Sequence, residues 1–238
     1  MELPPITVVA PVFAPATEGG FARLMGAKQT IISWGRHCRY AGKLRGHLVN
    51  DSVDVSEEEV EKLLKYSPFE TEITHTHGQG LGKALNVGIQ AALRVSPLVL
   101  MTDDSYSLVD DLDLTPWAAA LMRNGDLGAV SMMPPRPGQT GGEVLYLYEI
   151  RTEGLAGIVF HRHAFAWNGR PMLYAQRWFD AYGWFKEGCT GYDLEIEYAQ
   201  RYVDTPGPPV LYPFFDPWQH VWSGVRLGDK PPGWDGKG

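Results

Sequence analysis

The chain has 238 residues, 44% hydrophobic and 21% charged, the profile of one globular domain and not of a disordered, collagen-like or coiled-coil chain. Lys plus Arg number 21 against 28 for Asp plus Glu, a net charge of −7, which speaks against broad binding along a nucleic-acid backbone while leaving a local basic groove open. No run of about 18 apolar residues occurs, so no membrane-spanning helix is expected.

In chain order, Met1-Glu2-Leu3-Pro4-Pro5 carries an acid and two prolines where a secretory leader has basic residues and then an apolar stretch. Only Cys38 and Cys189 occur, without Cys-x-x-Cys spacing, so neither a disulfide framework nor a zinc knuckle is encoded and a reduced, cytoplasmic setting is expected. Ile6–Phe13 is an apolar, β-branched run closed by Pro11 and Pro15, the pattern of a buried strand. A mixed segment over Phe21–Tyr40 leads to a second strand at Leu44–Val49, which breaks at Asn50-Asp51-Ser52. Ser56 and Glu59 form a capping box that opens a helix over Glu57–Tyr66.

Thr71–Thr76 is a further strand. It runs into the turn Gly78-Gln79-Gly80-Leu81-Gly82 and a helix on which Leu85, Ile89 and Leu93 recur at helical spacing. Pro97–Met101 is a short apolar strand stopped by Thr102-Asp103-Asp104-Ser105. Strands and helices alternate, so the expected fold is α/β, a Rossmann-like and mostly parallel sheet flanked by helices. Beyond it the periodicity thins, with a strand at Gly157–His161 and a helix at Leu194–Tyr202. Ligands of such sheets collect outside the carboxyl ends of the strands, where Asn50-Asp51 and Asp103-Asp104 fall.

The glycine-rich turn fits neither standard phosphate loop. A dinucleotide fingerprint needs glycine where Lys83 stands, and a P-loop needs a longer spacing with Ser or Thr where Ala84 stands. Asp103 and Asp104 are sharper. Adjacent carboxylates at the end of an apolar strand repel unless a cation or hydrogen bonds compensate, and oxygen ligands of this kind suit Mg²⁺ or Mn²⁺. Asp110, Asp111 and Asp113 read as solvated turn residues. The pairs His75/His77 and His161/His163 would each face one side of a strand, but no His-Glu-x-x-His helix accompanies them. Trp167–Trp222 holds five of the eight tryptophans, flat faces that suit both core packing and sugar stacking.

Taken in order, these pieces resemble the family 2 glycosyltransferases and their relatives of GT-A fold. Pro11-Val12-Phe13 resembles the family's opening strand, beside the nucleotide base, and Leu48-Val49-Asn50-Asp51-Ser52 its second strand, whose acids hold the uracil and ribose. Gly80–Ile89 is similar to the glycine-led helix before the metal motif, with Lys83 facing the donor. Val99–Asp104 looks like the Asp-x-Asp strand, with Asp104 as metal ligand and Asp103 near the ribose or the metal. Tyr192-Asp193 resembles the pair whose Asp is the base in inverting members. His220 looks like the histidine that completes the metal site, with Arg226 or Lys230 available to the diphosphate.

The resemblance implies a single GT-A domain over residues 1–227. Residues 1–110 would hold the nucleotide sugar, 111–227 the acceptor, and 228–238 a flexible tail. It implies a donor that is a nucleoside-diphosphate sugar, UDP above all, with Mn²⁺ or Mg²⁺ as Lewis acid at Asp104, His220 and Asp103. Asp193 would be the base for an inverting transfer, and Trp178, Trp184 or Trp218 would shape the sugar and acceptor pockets. The acceptor stays open among a saccharide, a lipid-linked sugar, a protein, a small molecule and a modified nucleobase. A retaining transferase, a nucleotidyltransferase and a non-catalytic nucleotide-binding module stay open as alternatives, the last because Asn50, Thr102 and Tyr192 stand where the family carries acids.

Overall fold

The computed structural model describes residues 2–14, 18–133, 143–150, 155–161, 171–213 and 218–220. The first strand, β1 (Ile6–Val12), is buried along its whole length, as a run of apolar residues with no polar face requires. It is followed by α1 (Glu18–His37), β2 (Cys38–Arg39) and β3 (Leu44–Asn50). The mixed segment is therefore mostly a 20-residue helix, whose basic last turn, Arg36 and His37, complements its carbonyl end. Next come α2 (Glu57–Glu61), a 3₁₀ turn (Lys62–Tyr66), β4 (Glu70–His75) and α3 (Leu81–Leu93). The capping Ser56 accepts from the Glu59 amide, but the α-helix tightens after one turn, so the expected helix over Glu57–Tyr66 is α only in its first half.

The chain continues through β5 (Leu98–Met101), β6 (Tyr106–Leu108), β7 (Leu112–Asp113), α4 (Thr115–Arg123) and β8 (Ala129–Ser131). Then follow β9 (Glu143–Ile150), β10 (Leu155–His161), β11 (Met172–Ala175), α5 (Gln176–Tyr182), α6 (Gly191–Asp204), β12 (Val210–Pro213) and β13 (Trp218–His220).

Among the described residues the main sheet has nine strands, in the order β4-β3-β1-β5-β11-β8-β12-β10-β9. The four strands of the first half pair in parallel, β4 on β3, β3 on β1 and β1 on β5. Strand β11 enters antiparallel between β5 and β8, and β10 lies antiparallel between β12 and β9. All the other strands share one direction, so the sheet is mostly parallel. Two short ladders flank it, β2 with β7 and β6 with β13.

Period-two alternation splits the core into two layers. Ile6, Val8, Ala10 and Val12 face α1 and α4, packing with Ile31, Trp34, Trp117 and Leu121. Val9, Val49, Val99 and Met101 face α3, α5 and α6, packing with Leu85, Ile89, Trp178 and Tyr198. Helix α3 lies so close to the sheet that a Cβ on Gly88 would come within 2.6 Å of Val49 and 2.7 Å of Val9. The register brings Val12 opposite Asn50 and Asn50 opposite His75, so the carboxyl ends of β1, β3 and β4 form one rim.

Both cysteines are free thiols. Burial pushes Cys38 up to about 12, which leaves it unreactive. No helix among the described residues is long and apolar enough to cross a membrane.

Candidate functional site

On that rim the loop after β1 is clamped from both sides. The Phe13 amide donates to Asp104 Oδ2 at 3.2 Å and the next amide, Ala14, donates to Ser52 Oγ at 2.9 Å. The ends of β1, β3 and β5 thus converge on two consecutive peptide groups. Pro11 is buried within β1, while the Phe13 ring is 40% exposed at the rim, where a planar ligand can reach it.

Asp51 is buried, and its carboxylate organises the glycine-rich turn. Oδ1 accepts from Thr76 Oγ1 (2.7 Å) and the Gln79 amide (2.8 Å), and Oδ2 accepts from the Gly80 amide (2.9 Å). Asn50 is equally engaged: its Oδ1 accepts from the Ser52 amide at 3.0 Å and its Nδ2 donates to His75 Nδ1 at 3.0 Å. Both residues therefore shape the rim through their own side-chain bonds.

Asp104 is buried, with Oδ1 held at 2.8 Å by Arg23 Nη2 from α1. Burial disfavours the charge of that guanidinium, but Asp104 and Asp103 together offset this and raise the arginine pKa. The guanidinium carbon also lies 5.8 Å from the centroid of the Phe13 ring. Asp103 accepts from the amide and the hydroxyl of Ser105, both at 2.7 Å. Desolvation and the neighbouring Asp104 nevertheless push Asp103 up to about 7, against the pull of Ser105 and Arg23. Even with Arg23 in place, the acid pair is short of positive charge. Its oxygen donors and that deficit fit a hard divalent cation sharing substrate phosphates.

Strand β13 pairs with β6 so that His220 stands opposite Tyr106, close in sequence to Asp104. Its backbone is thereby brought beside the acid motif. Arg226, Lys230, His163, Trp167 and the expected tail at 228–238 lie outside the described residues. Among the described residues the group of three metal-type side chains is Glu57, Glu61 and His75, without Asp103 or Asp104. Its His75 Nδ1 already accepts from Asn50, so the histidine ties α2 and β4 to the rim.

On the opposite side of the sheet, Lys83 lies in the first turn of α3 with Nζ 3.4 Å from Glu187 Oε2. Asn86 grips the same loop: its Nδ2 donates to Phe185 O and its Oδ1 accepts from the Phe185 amide, both at 2.9 Å. A second Nδ2 contact reaches Glu187 Oε1 at 3.0 Å. The loop sits so close that a Cβ on Gly82 would come within 2.1 Å of Lys186 O, which is why glycine stands there. This packing sets the start of α6, where Gly191 abuts Leu81.

Asp193 is exposed in the first turn of α6. Its amide donates to Thr190 Oγ1 at 3.1 Å, and its Oδ2 accepts from the same hydroxyl at 2.8 Å, an arrangement that caps the helix. Trp178, expected to shape a pocket, is instead fully buried and donates from Nε1 to Tyr198 Oη at 3.2 Å. Its size and its position on the inner face of α5 place it in the core. Trp184 is 40% exposed and lies toward the far end of α3 from Lys83, and the side chain of Trp218 lies outside the described residues.

Three side chains enter the site without having been singled out by pattern: Arg23, Asn86 and Glu187. Asn86 lay within the glycine-led motif, and its place on the buried face of α3 was the available signal. Arg23 pairs with an acid 81 positions away, and no local pattern encodes that contact.

No protein-family model and no curated protein matches the chain. Solved structures do. A structure of S. aureus TarS residues 1–349 superposes with a TM-score of 0.60 at 13% identity, over 93% of this chain and 60% of its own. The same segment in complex with UDP gives a TM-score of 0.58 at 14% identity, over 92% and 60%. GalNAc-T7 with UDP, GalNAc and Mn²⁺ gives 0.56 at 14% identity, over 89% and 42%. The chain thus spans 42–60% of the length of these three structures. At such identities the likeness establishes the architecture, and that architecture is the GT-A fold of glycosyltransferases.

Proposed function

We propose that the chain transfers a sugar from a nucleoside-diphosphate sugar, UDP above all, to an acceptor hydroxyl. One observation carries this reading: Phe13, Asn50–Ser52 and Asp103–Asp104 converge on the rim of a GT-A sheet, at the position where α/β sheets bind ligands. The complexes of TarS with UDP and of GalNAc-T7 with UDP, GalNAc and Mn²⁺ support a nucleotide donor and a divalent cation for folds of this type. In this division of labour residues 1–110 hold the donor and 111–227 the acceptor.

The Phe13 face receives the base, and the rim at Asn50 and Asp51 lies toward the ribose. Asp103 and Asp104, with His220, are the residues that would hold Mn²⁺ or Mg²⁺, which supplies Lewis-acid charge to the departing diphosphate. Arg23 adds positive charge on that side, and Arg226 is the residue assigned to the diphosphate by the family resemblance. Lys83, fixed by Glu187, faces the phosphates from α3. Asp193 Oδ1 takes the proton of the acceptor hydroxyl as its oxygen bonds to the anomeric carbon and the anomeric bond to the diphosphate breaks with its electron pair. That displacement inverts the centre.

A second reading follows from the Thr190 contact. With Oδ2 engaged in capping α6, Asp193 would serve as a positioning residue and transfer would proceed with retention. A screen of UDP-, GDP-, TDP- and CMP-sugars for binding and hydrolysis, with Mn²⁺, Mg²⁺ or EDTA, tests the donor assignment. The expected result is metal-dependent turnover of a UDP-sugar, and turnover of none under any condition rejects it. Asp193→Asn is then expected to bind donor normally and to lose transfer. Normal transfer by that variant selects the second reading.

A further inference from the structure

Toward the carboxyl end of α3, far from the rim, a cleft of about 310 Å³ opens between α3 and α5. This is at the lower end of the range in which proteins bind small ligands, roughly 300–1,000 Å³. Its floor is the Trp184 indole, stacked on Phe179 at 5.2 Å with 11° between the planes and 40% exposed. Phe179 is itself buried, and Arg201 Nη1 holds the Trp184 carbonyl at 2.6 Å, so the platform is fixed before any ligand arrives.

Around that ring stand Gln90 from α3, Arg94 capping its carboxyl end, and Gln176 and Asp180 from α5. All four are exposed, and within the described structure none of these side chains has a hydrogen-bond or ion-pair partner. Planar amide, guanidinium and carboxylate groups can each bind two neighbouring hydroxyls at once, as donors, acceptors or both. The arginine and the aspartate cancel in charge, which favours a neutral ligand over a phosphate or a polyanion. A rigid aromatic face ringed by unspent two-point hydrogen-bonding groups suits a sugar ring, apolar on its face and polar around its edge.

We propose that this cleft is a saccharide subsite, separate from the donor rim, that binds an uncharged oligosaccharide across Trp184. Helix geometry places Gln90 and Arg94 roughly 10–16 Å along α3 from Lys83. A short chain of sugar units covers that distance, so the subsite would retain the glycan of an acceptor or product during transfer. The subsite rests on its own geometry, and its link to transfer rests on the function proposed above.

The test uses the full chain labelled with 5-fluorotryptophan, the Trp184 ¹⁹F resonance being assigned by its loss in Trp184→Phe. Maltohexaose, cellohexaose, chitohexaose and xylohexaose are titrated in turn. At least one is expected to shift the Trp184 resonance saturably. By calorimetry its affinity is expected to fall tenfold or more in Trp184→Ala and severalfold in the double variant Arg94→Ala/Gln176→Ala. The double variant changes only exposed side chains and keeps the test valid should Trp184→Ala fail to fold. Failure of all four sugars to move the resonance overturns the proposal, as does unchanged affinity in the double variant. UDP binding, read on the same samples, reports on the donor rim alone, so a response at Trp184 without UDP binding upholds the subsite while rejecting the function.

Discussion

Arg23 Nη2 sits 2.8 Å from Asp104 Oδ1, and the Phe13 amide sits 3.2 Å from the other oxygen of the same carboxylate. One buried acid thereby fastens both α1 and the loop after β1 to the end of β5. The contact also places a guanidinium against the oxygen that a divalent cation would take. Arg23→Gln is expected to leave Asp104 less compensated and to lower stability by about 1–2 kcal/mol, given that the arginine is partly solvent-exposed. The same variant should bind Mn²⁺ roughly tenfold more tightly, a difference of about 1.4 kcal/mol. Urea unfolding and Mn²⁺ titration followed by electron paramagnetic resonance read the two effects. Unchanged Mn²⁺ affinity would remove Asp104 Oδ1 from the ligand set.

The pH dependence follows from Asp103. Its pKa in the folded chain is raised to about 7, so the folded state holds a proton that the unfolded chain releases at ordinary carboxylate pH. The folded form therefore loses stability as pH rises from about 4 toward 7. Asp103→Asn keeps the acceptor for Ser105 and removes the charge. Its melting temperature should match the wild type below about pH 4 and exceed it at pH 8 by several degrees, at about 2–4 °C per kcal/mol for a chain of this size. Equal melting temperatures at pH 8 would contradict the charge deficit assigned to the acid pair.

Asp51 is a distinct case, because its carboxylate accepts three bonds from the turn it organises. Asparagine cannot replace it, since in either orientation its NH₂ group would confront a backbone N–H, that of Gln79 or that of Gly80. Both Asp51→Asn and Asp51→Ala should cost about 2–3 kcal/mol, as expected when buried donors lose their acceptor. Denaturant unfolding measures this, and a fully stable Asp51→Asn would show that the turn does not depend on the carboxylate.

Asn86 joins α3 to the loop that leads into α6. Asn86→Leu removes both Phe185 bonds while preserving bulk, and should cost about 2–4 kcal/mol through unsatisfied buried backbone groups. Hydrogen exchange at residues 185–190 should accelerate in the variant. Unaltered exchange there would mean that Lys83 and Glu187 alone hold the loop.

How far the sequence announces this structure depends on the range of each contact. The strands of the first half show as apolar runs with turn residues behind them, so Asn50, Asp51, Asp103 and Asp104 could be placed on one rim from pattern alone. Helix α1 could not, because its polar and apolar residues are mixed without a strong apolar stripe; Arg23 was hidden with it. The second half has strands such as β8 and β11, short and buried on both faces, whose apolar runs resemble any core segment. Trp178 and Trp184 are six positions apart, and only the packing of α5 decides that one fills the core and the other meets solvent. Asp193 was legible as an acid at a helix start, yet its bond to Thr190 depends on side-chain geometry that spacing does not encode.

In the proposed function Asp104 lies in a metal-assisted nucleotide site. Isothermal titration of UDP into the wild type and into Asp104→Ala, each with Mn²⁺ and then with EDTA, tests it most directly. Saturable binding to the wild type in Mn²⁺, at least tenfold weaker binding in EDTA, and none to the variant are expected. Equal UDP affinity in wild type and variant, or no UDP binding to the wild type in Mn²⁺, would contradict it.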